Sequence, residues 1–220
     1  MTIQSYTGTM TKQAKTRGLR RTPSRAALLG AAEMLMGENG LASVSIDEIV
    51  ARAGVAKGTF YNHFDSKADL ARALAIAIRS NVRDRIATAK AHSQDPAVHM
   101  AIAQASFVTL AVEQPQRAAL LLRLLSGSTW PSSPINRNLE ATLQEGVRLG
   151  RFAVTSIAAG VAFAIGTAVA SMRATLDRGS SRDRRTDLVQ PLLVHFLVGL
   201  GLDASEARQI SAAALQSTPE

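Results

Sequence analysis

The sequence predicts an all-α protein. Three features say so: capping pairs recur just ahead of apolar runs, apolar residues return at intervals of three and four, and no stretch alternates apolar with polar as a half-buried strand does. With 220 residues, 46% of them hydrophobic, and a mean hydropathy of +0.07, the chain has the composition of a soluble globular protein large enough for a small domain and a medium one. Cysteine is absent, which excludes a disulfide framework, a thiolate metal site and a thiol nucleophile, and fits a cytoplasmic protein.

Taken in order, residues 1–19 read as a flexible basic arm without helical periodicity. Lys12, Lys15, Arg17, Arg20, Arg21 and Arg25 all precede the first acid, Glu33. Much of the net charge of +8 therefore sits at one end, either attracting phosphate or simply solvated. Thr22-Pro23 offers an N-cap and a first-turn proline. The helix it opens carries Arg25, Leu28, Ala31, Ala32 and Leu35 towards Asn39-Gly40. Ser45 with Glu48 makes a capping box for a second helix whose apolar face is Ile46, Ile49, Val50 and Ala53. Gly54 stops it where the chain must reverse. A third helix then starts near Ala56 and places Ala56, Phe60 and Phe64 on one stripe, leaving Gly58, Thr59, Tyr61 and Asn62 on the other side with Lys57 at the margin. One face anchored and the other slim and polar is what a helix entering a DNA groove requires.

Ser66 with Asp69 opens a long helix through Leu70, Leu74, Ile78, Val82 and Ile86. Asp95-Pro96 starts another, Gln114-Pro115 ends it and begins a short apolar helix to Leu125, and residues 126–136 are a loop by their Ser, Gly and Pro content. A helix from about Pro134 to Gly150 follows, then an uncharged one to about Leu176, a polar connector over residues 177–185, a helix from Thr186 to Gly199 containing Pro191, and a last helix capped by Asp203 and Glu206. The uncharged stretch from Phe152 to Met172 is long enough to cross a bilayer, but its Ala, Gly, Ser, Thr and Val suit a buried helix at an interface better than a membrane span.

The segment from Ile49 to Leu70, I-x-x-x-A-G-V-x-K-G-T-x-Y-x-H-F followed by x-x-K-x-x-L, resembles the helix-turn-helix of the TetR family of transcriptional regulators. With the preceding helix, the resemblance covers about residues 20–75. It implies an arm over residues 1–19, a three-helix DNA-binding domain over 20–66, and a helical ligand-binding and dimerisation domain over 67–220. By resemblance, Lys57 and Thr59 look like residues that reach base edges or phosphates, Tyr61, His63 and Lys67 match phosphate contacts, and Gly58 permits close approach to the groove. Arg21, Arg25 and Ser45 complete the expected DNA-binding set. Three positions depart from the common pattern: Ala56 for a frequent serine, Asp47 where a basic or neutral residue often faces DNA, and Val50 for a frequent alanine.

Beyond the helix-turn-helix, Ala158, Ala162, Gly166 and Ala170 form a ridge of small side chains at four-residue spacing, suited to close helix packing within one chain or between two. The resemblance favours the second, a homodimer interface with Val161, Ile165, Leu192, Phe196 and Leu200 as neighbours. It also implies a pocket for a largely apolar small molecule, for which Met100, Phe107, Leu110, Leu121, Trp130 and Phe163 are candidates. Arg123 could meet an acidic ligand but more plausibly faces solvent. His92 and His99 lack an acidic partner at metal-ligand spacing, so neither metal nor cofactor is expected. No glycine-rich loop after a strand, nucleophile elbow or carboxylate pair suggests an enzyme. The function expected is a ligand-responsive regulator, most simply a repressor released from a palindromic operator in double-stranded DNA. The alternatives are a non-specific or architectural nucleic-acid binder, or a small-molecule-binding helical domain without a regulatory role.

Overall fold

The structure is a computed structural model; it describes residues 11–125, 136–178 and 182–216, with backbone alone for 11–22, 81, 90, 178 and 182–188. The described residues form helices and no strand: α1 (Thr11–Asn39), α2 (Ile46–Ala53), α3 (Lys57–Tyr61), α4 (Lys67–Ile78), α5 (Ser80–His92), α6 (Pro96–Glu113), α7 (Pro115–Leu125), α8 (Arg137–Arg148), α9 (Ile157–Arg178), α10 (Arg182–Gly199) and α11 (Ala204–Gln216). The chain divides into two compact units, Met1–Leu74 and Ala75–Glu220, a division later than the expected one at residue 66.

Four boundaries differ from the sequence reading. α1 begins at Thr11, so Pro23 lies inside it rather than in its first turn, and the arm expected over residues 1–19 is helical from residue 11. The helix expected to run from Ser66 to Ile86 is interrupted at Arg79, where Ser80 donates from Oγ to the Ala77 carbonyl at 2.8 Å. Residues 151–156 are not helical: the Ala153 N–H donates to the Leu200 carbonyl at 2.8 Å, and α9 starts only at Ile157. α10 starts at Arg182, ahead of the expected Thr186. The other stops fall where punctuation put them. Asp95 accepts from the Ala97 N–H at 2.8 Å at the start of α6, and Asp203 accepts from the Ser205 N–H at 2.7 Å ahead of α11.

In the first unit, Leu28, Ala32 and Met36 from α1, Ile49 and Val50 from α2, Phe60, Phe64, and Leu70 and Leu74 from α4 are all buried. In the second, α6 is the hub: it packs against α5, α7, α8, α9, α10 and α11. It can do so because its sequence carries no charge from Pro96 to Val112 and its buried Ala97, Ala101 and Ala105 allow close approach. α9 buries Val161, Ala164, Ala168 and Met172 on one side, while α10 contributes Val189, Leu193, Phe196 and Leu197, with Leu200 just beyond its end.

A polar clasp fastens the segment that follows α8. The Arg151 guanidinium donates from Nη2 to Asp95 Oδ2 at 2.8 Å and to Glu206 Oε1 at 2.6 Å, joining the starts of α6 and α11. Those two carboxylates hold the guanidinium's pKa above its ordinary range. Burial opposes ionisation of Asp95, but the bonds from Arg151 and the Ala97 N–H outweigh it and hold the carboxyl below its usual range.

Candidate nucleic-acid interface and ligand cavity

Two local devices aim α3. Ser45 Oγ accepts from the Glu48 N–H at 3.2 Å while Glu48 Oε2 accepts from the Ser45 N–H at 2.7 Å, completing the expected capping box. The bonds from Ser45 lower the Glu48 pKa. At the other end of α2, Gly54 adopts φ 66°, a left-handed conformation that L side chains avoid. The chain therefore turns within a few residues, and α3 follows at Lys57.

Aromatic packing then fixes α3. Phe60 and Phe64 are buried with ring centroids 5.7 Å apart, and Tyr61 meets Phe60 edge to face at 5.3 Å. Arg25 lies over the outer face of the Phe64 ring, 5.3 Å from its centroid. Opposite these rings, Tyr61 is 53% exposed, Lys57, Gly58 and Asn62 are exposed, and Thr59 is half-buried. A Cβ placed on Gly58 would meet nothing within 4 Å, so nothing in the chain's own packing calls for a glycine there. Ala56 is exposed, and the buried stripe consists of Phe60 and Phe64 without it.

Several side chains expected at DNA are engaged inside the unit. His63 Nε2 lies 2.9 Å from Ser24 Oγ, tying the end of α3 to α1. Lys67 donates to the Val44 carbonyl at 2.8 Å and the Ala42 carbonyl at 3.3 Å, closing the loop before α2. Ser45 is held by its cap. The Arg21 side chain lies outside the described residues. Lys57 Nζ is 2.8 Å from Asp47 Oδ1, and this partner raises the Lys57 pKa. Asp47, noted in the sequence as a departure, therefore meets the first of the residues expected at DNA.

The second unit encloses a cavity of about 420 Å³ lined by residues from α4, α5, α6, α8 and α9, by Leu125 at the end of α7, and by Arg79 and Asn136 beside these helices. Of the residues proposed for a pocket, Met100 and Phe107 line this cavity. Leu110 and Leu121 are buried but not in its wall, because their stretches of α6 and α7 turn them into the core. Phe163 is 42% exposed and stacks on Phe196 at 5.5 Å from the opposite side of α9. Trp130 lies outside the described residues.

Polar residues missed by the sequence reading also line the cavity, among them Arg79, His99, Gln104 and Asn136. Arg79 follows α4 directly; its Nη1 is 3.5 Å from Asn136 Oδ1 and its guanidinium 5.8 Å from the Phe107 centroid. Burial lowers its pKa. His99 Nε2 is 2.7 Å from the Ser93 carbonyl, while His92 is exposed, so the two do not share a site. Arg123 is exposed.

The exposed side of α9 carries Ala158, Gly166 and Ala170, with Ala162 half-buried beside them. Leu192 is half-buried, whereas Phe196, Val161 and Leu200 belong to the chain's own core. Residues Ile157–Asp177 are long and apolar enough to cross a membrane by length and composition, with 33% of the window buried.

A family model described as bacterial regulatory proteins, tetR family, matches residues 28–74. A second, described as a tetracyclin repressor-like C-terminal domain, matches residues 95–213, more than half of the chain. Among solved structures, RolR in complex with resorcinol is 25% identical, with a TM-score of 0.60 over 92% of this chain and 98% of that one. A putative tetR family regulator from Shewanella sp. PV-4 is 21% identical, with a TM-score of 0.65 over 82% and 99%. FadR from Bacillus subtilis in complex with stearoyl-CoA is 20% identical, with a TM-score of 0.60 over 79% and 98%. For the last two the likeness concerns the fold alone. A comparison with curated proteins found no match.

Proposed function

The chain belongs to the TetR family of bacterial regulatory proteins, ligand-responsive transcriptional regulators, and on that premise we propose that it is a cytoplasmic homodimeric repressor released from a palindromic operator by a small molecule. The observation that carries the DNA reading is α3 itself, with Phe60 and Phe64 locked inward and Lys57, Gly58 and Tyr61 turned out. Lys57, Thr59 and Tyr61 would meet the duplex, Tyr61 at phosphate and Lys57 and Thr59 at base edges. The basic residues from Lys12 to Arg25 would add phosphate attraction. Ser45, His63 and Lys67 would serve by holding the frame, unless DNA displaces their internal partners.

Dimerisation would use the small-residue side of α9, with Phe163 and Val198 as its exposed larger apolar side chains. A Cβ at Gly166 would meet nothing within 4 Å in the subunit, so the space there is open to a partner helix. Two-fold symmetry would set two α3 helices to half-sites about one helical turn apart, roughly 34 Å. Effector bound in the cavity would favour a conformation with lower operator affinity, by its differential affinity for the two states.

Selection of bound genomic fragments, followed by titration of the recovered duplex and a scrambled copy at physiological salt, tests the reading. A specificity ratio of about a thousandfold or more is expected. Equal affinity for both duplexes, with the salt dependence of a purely electrostatic binder, would show a non-specific nucleic-acid protein instead.

A further inference from the structure

We propose that the effector is a small organic acid whose carboxylate is taken by Arg79 and whose hydroxyl donates to Gln104, its apolar body lying against Met100, Phe107 and Met172. This deepens the regulator reading above and rests on it.

The charge balance of the cavity comes first. Among the described residues its lining includes Arg79 and Arg83 but no Asp or Glu. Arg83 is largely exposed and has Asp84 at 3.7 Å, so it belongs to the rim. Arg79 is different. Among the described residues its contacts are a 3.5 Å approach to the neutral Asn136 and the face of Phe107. A guanidinium remains protonated in proteins, and burying it without an opposite charge is costly. Its planar fork matches a carboxylate in two parallel hydrogen bonds. Burial lowers the pKa of this group, as expected of a cation awaiting a partner.

Gln104 supplies the second observation. It is only 6% exposed; its Nε2 donates to the Ala164 carbonyl at 2.9 Å, and its Oε1 is buried with no hydrogen-bond partner among the described residues. The bond to Ala164 fixes the amide orientation, so the unpartnered atom is an acceptor. An acceptor is satisfied by a donor, which a bare hydrocarbon acid lacks and a hydroxy acid has. The remaining lining includes apolar groups such as Ile165 and Ala168. The volume of about 420 Å³ is towards the small end of ligand pockets.

The test uses the full-length protein with 4-hydroxybenzoate, 4-hydroxyphenylacetate and 4-hydroxycinnamate, which differ in reach, each against its methyl ester. Calorimetric titration should show at least one acid binding about tenfold or more tighter than its ester. Arg79→Gln should abolish that preference while leaving ester binding intact, Arg79→Lys should keep part of it, and Gln104→Met should remove the advantage of the hydroxy acid over its deoxy analogue. Circular dichroism and ester binding establish that each variant is folded. If no acid outbinds its ester, or if Arg79→Gln leaves the preference unchanged, the proposal is overturned. Operator binding is measured on the same preparations: intact operator binding with no acid preference rejects the effector class alone, whereas loss of sequence-specific DNA binding in the unaltered protein rejects the regulator reading.

Discussion

The two units distribute polarity in opposite ways. The first gathers Leu28, Ile49, Phe60 and Phe64 at its centre and turns Lys57, Asn62 and Tyr61 to solvent. The second keeps His99 and Gln104 buried, and Arg79 half-buried, around a cavity, and turns Phe163, Val198 and the small residues of α9 outward. A water-soluble domain with no further task has the first arrangement. Departures from it in the second unit, a polar-lined hollow and an apolar outer face, are the surfaces that the proposed effector and partner subunit would cover.

The contrast can be broken most forcefully at its aromatic anchor. Phe60→Ala, at a fully buried position, should cost about 4 kcal/mol of stability and lower the melting temperature of the first unit, whereas Phe163→Ala, on a 42% exposed ring, should cost far less. Equal losses in thermal denaturation would mean that Phe163 is core and the α9 face closed. Next in size, Gly58→Leu should leave the melting temperature nearly unchanged, since a Cβ there meets no neighbour, yet weaken operator binding on the order of tenfold to a hundredfold. Retained affinity in a mobility-shift titration would remove α3 from the groove.

Arg151→Ala should destabilise the second unit by about 2 kcal/mol through loss of hydrogen bonds to two carboxylates. It should also change the acid response. Asp95 has a folded pKa below its unfolded value, so its contribution is present above the unfolded pKa and is lost as pH falls through the folded one. Stability curves from neutral pH into the acid range should fall more steeply for the unaltered protein than for the variant; parallel curves would show that the clasp does not carry this linkage. Smallest of all, Asp47→Asn should raise affinity for random duplex by about twofold and steepen its salt dependence slightly. No change in either would mean that Lys57 is indifferent to its partner.

Most of the first unit was legible because its constraints are local. The Ser45–Glu48 box, the reversal at Gly54 and the aromatic pair at Phe60 and Phe64 each depend on residues within a few positions. The partners of His63 and Lys67 were not, since Ser24 and the carbonyls of Ala42 and Val44 lie 20 to 40 residues away and nothing in the spacing pairs them. The cavity was less legible still. Nothing in the spacing around Arg79 distinguishes it from a surface cation, and only the close of α4 immediately before it turns it towards the cavity. Gln104 sits in a helix apolar on nearly every side, and such a helix gives no periodicity from which to decide which neighbour each residue meets. The same ambiguity sent Phe163 to the pocket and Phe196 to the interface, when the two stack with the first outside and the second within.

The pairing of Lys57 with Asp47 would give the proposed reading head a counterion of its own. A duplex arriving there would displace a tethered carboxylate rather than a dissolved ion, so less entropy would be liberated on contact with arbitrary sequence. On that reading, time spent on the wrong stretch of chromosome would shorten, and the search for one address among millions would quicken.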